Sequence, residues 1–430
     1  MAKTNNMIND LGKFYVLWFT QSLSQLGSSI SAFALTLWLY EKSGSALSTA
    51  ALSICTYLPY VAMSIFAGAI SDRFDKKKTM LWCDVFAALC TIIVFFMYKN
   101  DLLEGYHLYF INALTGLMNT IQQPASEVAY TIITPKEYYQ KTSALQYLSR
   151  SVISVGSPLI ASLLYGFAKL DGAIYADLLS FSIAFIVLLF FNRIPETQKD
   201  NKDDISFIQM TKEGLSFLKE NRLILDIMLF MSGVNLVASA FDAVLPALVI
   251  PNPRGGNTVL GIVTSCSGIA MVIGSIFATN MPKPKNRVRV IYLTMLFALG
   301  IENFLLAFSR NPIMWCIGQV IGWILVPVMS ANENVIMKNV IPMELMGRIY
   351  ACRNTFQFST IPLGLFLGGF LTDNFAEPFM AANASNKFLT TLFGVGKGSG
   401  AALMMFILGV AGIVVCLVFG KILEQYEYSD

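Results

Sequence analysis

The chain has 430 residues, 55% of them hydrophobic and 13% charged, and a mean hydropathy of +0.60. A water-soluble chain carries about 25% charged residues, so this composition excludes an ordinary soluble domain and points to an integral membrane protein. The formal net charge of +3 is slight, and no nucleic-acid partner is expected.

The opening "MAKTNNMINDLGK" is polar and leads straight into a full-length apolar run, so no cleavable signal peptide is expected. Six apolar runs follow near 14–40, 49–70, 79–98, 107–133, 142–168 and 170–191. Six more lie near 223–250, 258–281, 290–308, 313–337, 349–373 and 400–422. Each is long enough for a span of about 20 residues. The runs are continuous, unlike the alternating strands of about ten residues that build a closed barrel. The expected fold class is therefore an all-α membrane protein of twelve transmembrane helices. Lys and Arg concentrate in the connectors on the same side as the N-terminus, which places both termini in the cytoplasm.

The longest cytoplasmic connector falls at mid-chain, and divides the sequence into an N-terminal six-helix bundle at 1–192, a linker at 193–222 and a C-terminal six-helix bundle at 223–430. Within the linker Ile205, Ile208, Leu215 and Leu218 mark one face of a predicted interfacial helix. The two halves repeat: Pro135, Glu137, Lys141 and Ala144 recur as Pro342, Glu344, Arg348 and Ala351 after span ten. A parallel repeat of six spans is the architecture of a secondary transporter with its site near the midplane.

Ionisable residues inside spans are expensive and point to function. Glu127 with Arg150, and Glu333 with Arg353, occupy matching depths in the cytoplasmic half, and are read as two pseudo-symmetric ion pairs forming an inner gate; a substrate or proton site is the competing reading. The seven cysteines all lie in apolar runs without metal-ligand spacing, so no metal is expected. No cofactor is expected either. The single histidine, His107, stands at an outer boundary without HExxH or triad partners, and no G-x-x-x-x-G-K-[ST] is present. The chain reads as neither an enzyme nor an ATP-driven pump.

Between spans two and three, the pattern Gly68-x-x-x-Asp72-Arg73-x-x-Lys76-Lys77 resembles the signature loop of the major facilitator superfamily. Twelve spans, the six-plus-six repeat and the mid-chain connector agree with it. The stretches "LPAL", "NENVIMKNVIPMELMGRIYA" and "ADLLSF" look like the branch of bacterial macrolide efflux proteins and siderophore exporters. The resemblance implies that Gly68, Asp72 and Arg73 form a conformational latch. Small residues allow close helix approach, an acid can meet the positive end of a helix, and an arginine can hold a carboxylate bidentately. Gly364 and Gly368 of span eleven offer a matching small face. Asp75 departs from the pattern, standing where the family commonly has a second glycine. Span five departs too: in "SVGSPLIASLL" Gly156 and Pro158 match the antiporter pattern, but Ala161 and Ser162 replace its glycine pair.

The resemblance also implies that spans one, four, seven and ten line a central cavity. Polar residues fall there at helical spacing: Gln21 and Gln25; Asn112, Asn119 and Gln123; Asn235, Ser239 and Asp242. Gln319 and Trp323 on span ten complete the cavity candidates. Asp242, the acid of such a stripe toward the outer half, is the proton-coupling candidate. Asp84, Asp177 and Glu302 are expected to be structural and hydrogen-bonded within their own halves. The function implied is export of an amphipathic small molecule, a macrolide-like drug or natural product, by alternating access with proton antiport. The partners are that substrate, protons and membrane lipid, and the place is the bacterial cell (inner) membrane. A lysophospholipid transporter or flippase is the alternative.

Overall fold

The computed structural model of the chain describes residues 2–73, 75–135, 138–190, 216–282, 284–342 and 346–426. These residues are nearly all helical. In the first half run α1 (Ala2–Ser43), α2 (Ala46–Arg73), α3 (Lys76–Lys99), α4 (Gly105–Ile133) and α5 (Tyr139–Phe190). In the second run α6 (Arg222–Val249), α7 (Asn257–Asn280), α8 (Arg287–Phe308), α9 (Pro312–Ile324), α10 (Val326–Val340) and α11 (Met346–Leu371). A π turn (Thr372–Ala376) then leads to the short α12 (Glu377–Ala382) and α13 (Lys387–Phe393), and α14 (Ser399–Leu423) closes the chain. Among the described residues, nine helical stretches are long and apolar enough to cross a bilayer.

Local chemistry explains where these helices start and stop. Gly44, at φ 62°, turns the chain out of α1, and Ser45 caps α2 by accepting from the Ser48 amide at 3.0 Å. Asp75, the residue that departs from the family loop, caps α3: its Oδ1 accepts from the Lys78 amide at 2.7 Å. His107 closes the first turn of α4, its Nδ1 accepting from the Glu104 amide at 3.1 Å. Asn286 and Asn311 cap α8 and α9 in the same manner. The long α5 breaks at Lys169, which adopts φ 52° and ψ −143°, at the junction of the runs predicted at 142–168 and 170–191. The single run predicted at 313–337 is two helices, since Pro327 has no amide proton to continue α9 past Leu325.

The chain forms two compact units. The first unit comprises Met1–Leu39 and Cys55–Lys202; the second comprises Tyr40–Ile54 and Asp203–Asp430. The first turns of α2 therefore belong with the C-terminal helices, where Ala50 packs with Ala243 and Leu365. Of the predicted interfacial helix, Leu218 is buried, while Ile205, Ile208 and Leu215 lie outside the described residues.

The first unit is cored by Leu11, Phe14, Leu17, Met80, Ala125, Ala129, Tyr130 and Leu188. Large apolar side chains such as Trp82, Phe167 and Phe190 are exposed, as a lipid-facing surface requires. In the second unit α11 lies backbone to backbone on α6: a Cβ at Gly364 or Gly368 would collide with the Leu236 or Ala240 carbonyl. The small face of span eleven is thus used against α6, and Gly369 supplies the close approach to Leu47 of α2. Replacing Gly364 with Leu should cost about 1–3 kcal/mol, measured as a lowered thermal midpoint in detergent. Gly166→Ala, where nothing lies within 4 Å of the added carbon, should leave the midpoint unchanged.

Candidate functional site

In the first unit, polar side chains form two sets. One is exposed: Asn119, Gln123 and Glu127 recur every fourth residue on one side of α4. The Tyr60 hydroxyl donates to Gln123 Oε1 at 3.1 Å, and Gln123 Nε2 lies 3.5 Å from Glu127 Oε1. Arg150 Nη2 lies 3.6 Å from the same oxygen, with the two charged side chains 59% and 52% exposed. Exposure of that order screens the pair to about 0–1 kcal/mol, so it can form and break cheaply. Gln25 is also exposed and Asn112 is half-buried.

The other set is buried. Asp84 accepts from Gln21 Nε2 at 3.4 Å and from Gln122 Nε2. Asp177 accepts from the Ser28 hydroxyl at 2.9 Å and the Thr91 hydroxyl at 3.1 Å. Gln21, expected to face a cavity, is buried and directed at Asp84. The reason is electrostatic: a carboxylate removed from water needs donors, and an amide one helix away is the nearest supply.

In the second unit, the stripe predicted on α6 divides. Asn235 Nδ2 donates to the Gln357 carbonyl at 3.0 Å, and the buried Ser239 donates to the Asn235 carbonyl at 2.6 Å. Both are occupied where α11 presses on α6. Asp242 is exposed between the buried Phe241 and Ala243, and no described residue donates to it. On α9, Gln319 is buried and Trp323 half-buried. Glu333 Oε1 accepts from Gln357 Nε2 at 3.1 Å. Gln357 sits one turn beyond Arg353 on α11, and this turn reaches the carboxylate. Glu302 also departs from expectation, because it is 5% exposed and its Oε1 has no hydrogen-bond partner. The side chains of Gly68, Asp72 and Arg73, at the end of α2, lie outside the described residues.

Sequence reasoning missed Asp373. Its carboxylate accepts from the Ser45 hydroxyl at 2.6 Å and from the Ala46 and Leu47 amides at 3.0 and 2.9 Å. These are orphan donors at the start of α2, where the helix dipole favours a negative charge. One turn on, Glu377 Oε1 accepts from the Gly398 and Ala401 amides at 2.9 and 3.2 Å, at the start of α14. The π turn sets the two acids at different azimuths, so that each meets a different helix end. The acid that ends the Gly-rich "LGGFLTD" was the available signal, but its partner sits in a distant part of the sequence. The glutamine and hydroxyl donors on buried acids, the exposed α4 stripe, and Asp242 and Glu302 without donors among the described residues suit a protein that moves polar or amphipathic solutes through a bilayer.

A multi-pass membrane transporter is the class these features define. Residues 17–364 match the model of the Major Facilitator Superfamily, and the chain belongs to that family. It is similar to macrolide efflux protein A of Streptococcus pyogenes, 25% identical over 84% of this chain and 89% of that protein. It is also similar to the staphyloferrin A transporter of Staphylococcus aureus, 22% identical over 86% of this chain and 92% of that one. Its fold is shared with an auto-inhibited POT family peptide transporter, at a TM-score of 0.74, 11% identity and coverage of 97% and 98%. A bacterial homologue of the lysosomal transporter Spinster has it too, at 0.70, 13% identity and coverage of 97% and 98%. The chain is a multi-pass cell-membrane transporter.

Asp373→Ala leaves three donors at the start of α2 without an acceptor. It should cost about 1–3 kcal/mol, seen as a lower thermal midpoint, and should raise the labelling rate of a cysteine placed at Ser48.

Proposed function

We propose that the chain exports an amphipathic small molecule, a macrolide-like drug or natural product, by alternating access with proton antiport. It does so through twelve spans with both termini in the cytoplasm. The observation that carries the coupling is Asp242, an exposed acid in a helix otherwise buried around it, without a donor among the described residues. Such a group can take a proton from one side and release it to the other when its surroundings change. Direction and substrate class rest on the similarity to macrolide efflux protein A, which spans 84% of this chain.

Roles follow for the other residues. Gln25, Asn119 and Gln123 are exposed polar groups suited to a solute with scattered hydrogen-bonding atoms. Glu127 and Arg150 act as an inner gate on the cytoplasmic side, where a screened pair can open without a large penalty. Glu333 and Arg353 form the matching gate of the second half, with Gln357 donating to the Glu333 carboxylate. Gly68, Asp72 and Arg73 latch the cytoplasmic loop. Asp373 anchors the first turns of α2 to the second unit while the rest of that helix belongs to the first, so its release accompanies opening on the outer side.

The test is export of a labelled macrolide from vesicles with an imposed pH gradient. Wild type should move it only with the gradient, and Asp242→Asn should lose the gradient-driven component while keeping substrate binding. Macrolide movement indifferent to the gradient contradicts the antiport. Movement of a labelled lysophospholipid, with none of the macrolide, contradicts the substrate class.

A further inference from the structure

On the exposed side of α4, the Glu127 carboxylate is framed by neighbours that do not bond it tightly. Arg150 Nη2 and Gln123 Nε2 approach the same oxygen, at 3.6 and 3.5 Å. A charge-assisted hydrogen bond measures about 2.7–2.9 Å, so both neighbours stand back from that length. The two charged side chains are each more than half exposed. The chain has thus set a cation of its own, on a flexible stem, beside an acid that it leaves accessible.

The groups around this carboxylate suit a cation better than an anion. The Tyr60 hydroxyl is spent on Gln123 Oε1, to which it donates at 3.1 Å, and the Gln123 amide nitrogen is turned toward Glu127. Tyr57, 42% exposed, stands three residues before Tyr60 on α2 and shares that side of the helix. The faces of aromatic rings are negative, and attract an organic cation that comes within about 6 Å of the ring centroid. An anion would meet the Arg150 guanidinium there, but with the Tyr60 donor occupied and ring faces of its own sign beside it. The helices also leave room. α2 and α4 touch backbone to backbone at Gly116, where a Cβ would strike the Thr56 carbonyl. About two turns further along α4, they meet through the tips of Tyr60 and Gln123, and Gln123 and Glu127 are exposed.

We infer that Glu127, with Tyr57 and Tyr60, is the subsite for the charged head of an amphipathic organic cation, and that this head takes the place of Arg150 at the carboxylate. The incoming ammonium or phosphonium head pairs with Glu127, and the guanidinium swings away to water. Occupancy then breaks the Glu127–Arg150 pair, so the solute itself unlocks the inner gate. The cationic class deepens the proposed export, on which it rests for the solute's passage and not for the existence of the subsite.

The test is equilibrium binding of labelled tetraphenylphosphonium to the full chain in detergent, beside neutral triphenylphosphine oxide and anionic tetraphenylborate, which present similar phenyl surfaces. Wild type should prefer the phosphonium. Glu127→Gln should weaken phosphonium binding by about tenfold and leave the phosphine oxide unchanged, which also reports that the variant is folded. Arg150→Leu should strengthen phosphonium binding, because it removes the competitor; it decides alone if Glu127→Gln binds neither probe. A wild type that prefers tetraphenylborate, or a phosphonium preference that survives Glu127→Gln, overturns the subsite. Arg150→Leu that weakens phosphonium binding or leaves it unmoved overturns the displacement. Macrolide export is read alongside. A Glu127-dependent phosphonium preference in a chain that moves no macrolide keeps the subsite and removes the drug reading. Gradient-driven macrolide export with no phosphonium preference does the reverse.

Discussion

A carboxylate taken out of water must be given donors, a cation or a proton, and in a bilayer no solvent supplies them. That constraint arranges most of the polar structure in this chain. Asp84 draws Gln21 and Gln122 inward, Asp177 draws Ser28 and Thr91, and Glu333 draws Gln357. Asp373 and Glu377 use backbone amides at helix starts, which are themselves in need of acceptors. Each pairing satisfies two desolvated groups at once and fixes the register of two helices. The exceptions gain their meaning from this background: Asp242 and Glu302 are acids of the C-terminal helices to which no described residue donates.

Close helix packing makes those short side-chain contacts possible. Gly116 meets the Thr56 carbonyl in the first unit, and Gly274 meets the Ile324 carbonyl in the second. In hydrocarbon the hydrophobic effect does not drive helices together, so backbone approach through small residues carries the association. The consequence for function lies in α2. It is one continuous helix whose first turns are held in the second unit and whose remainder belongs to the first.

Much of this was legible in the sequence, for local reasons. Apolar runs, caps such as Asn286 and Asn311, and the break between 168 and 170 follow from hydropathy and backbone preference over a few residues. Glu127 and Arg150 were paired from depth alone and lie 3.6 Å apart. What the sequence concealed depends on azimuth and on distant partners. Depth placed Glu333 beside Arg353, and gave no sign of Gln357, one helical turn on, which donates to the acid. Helical spacing grouped Asn235, Ser239 and Asp242, yet the approach of α11 occupies the first two and leaves the third exposed. Asp373 looked like a loop acid at the end of a span because a π turn and a helix start more than three hundred residues earlier give it its role. Asp75 looked like a defect in a family loop, and is the cap of α3.

The central claim is that solute and proton move in opposite directions through this chain, and the coupling must run both ways. Purified protein in liposomes holding a pH-sensitive dye, given a macrolide gradient but no pH gradient, tests it most directly. The account predicts that macrolide flow drives protons against it, with the dye signal absent from empty liposomes. Macrolide crossing at the same rate with no proton movement would contradict it.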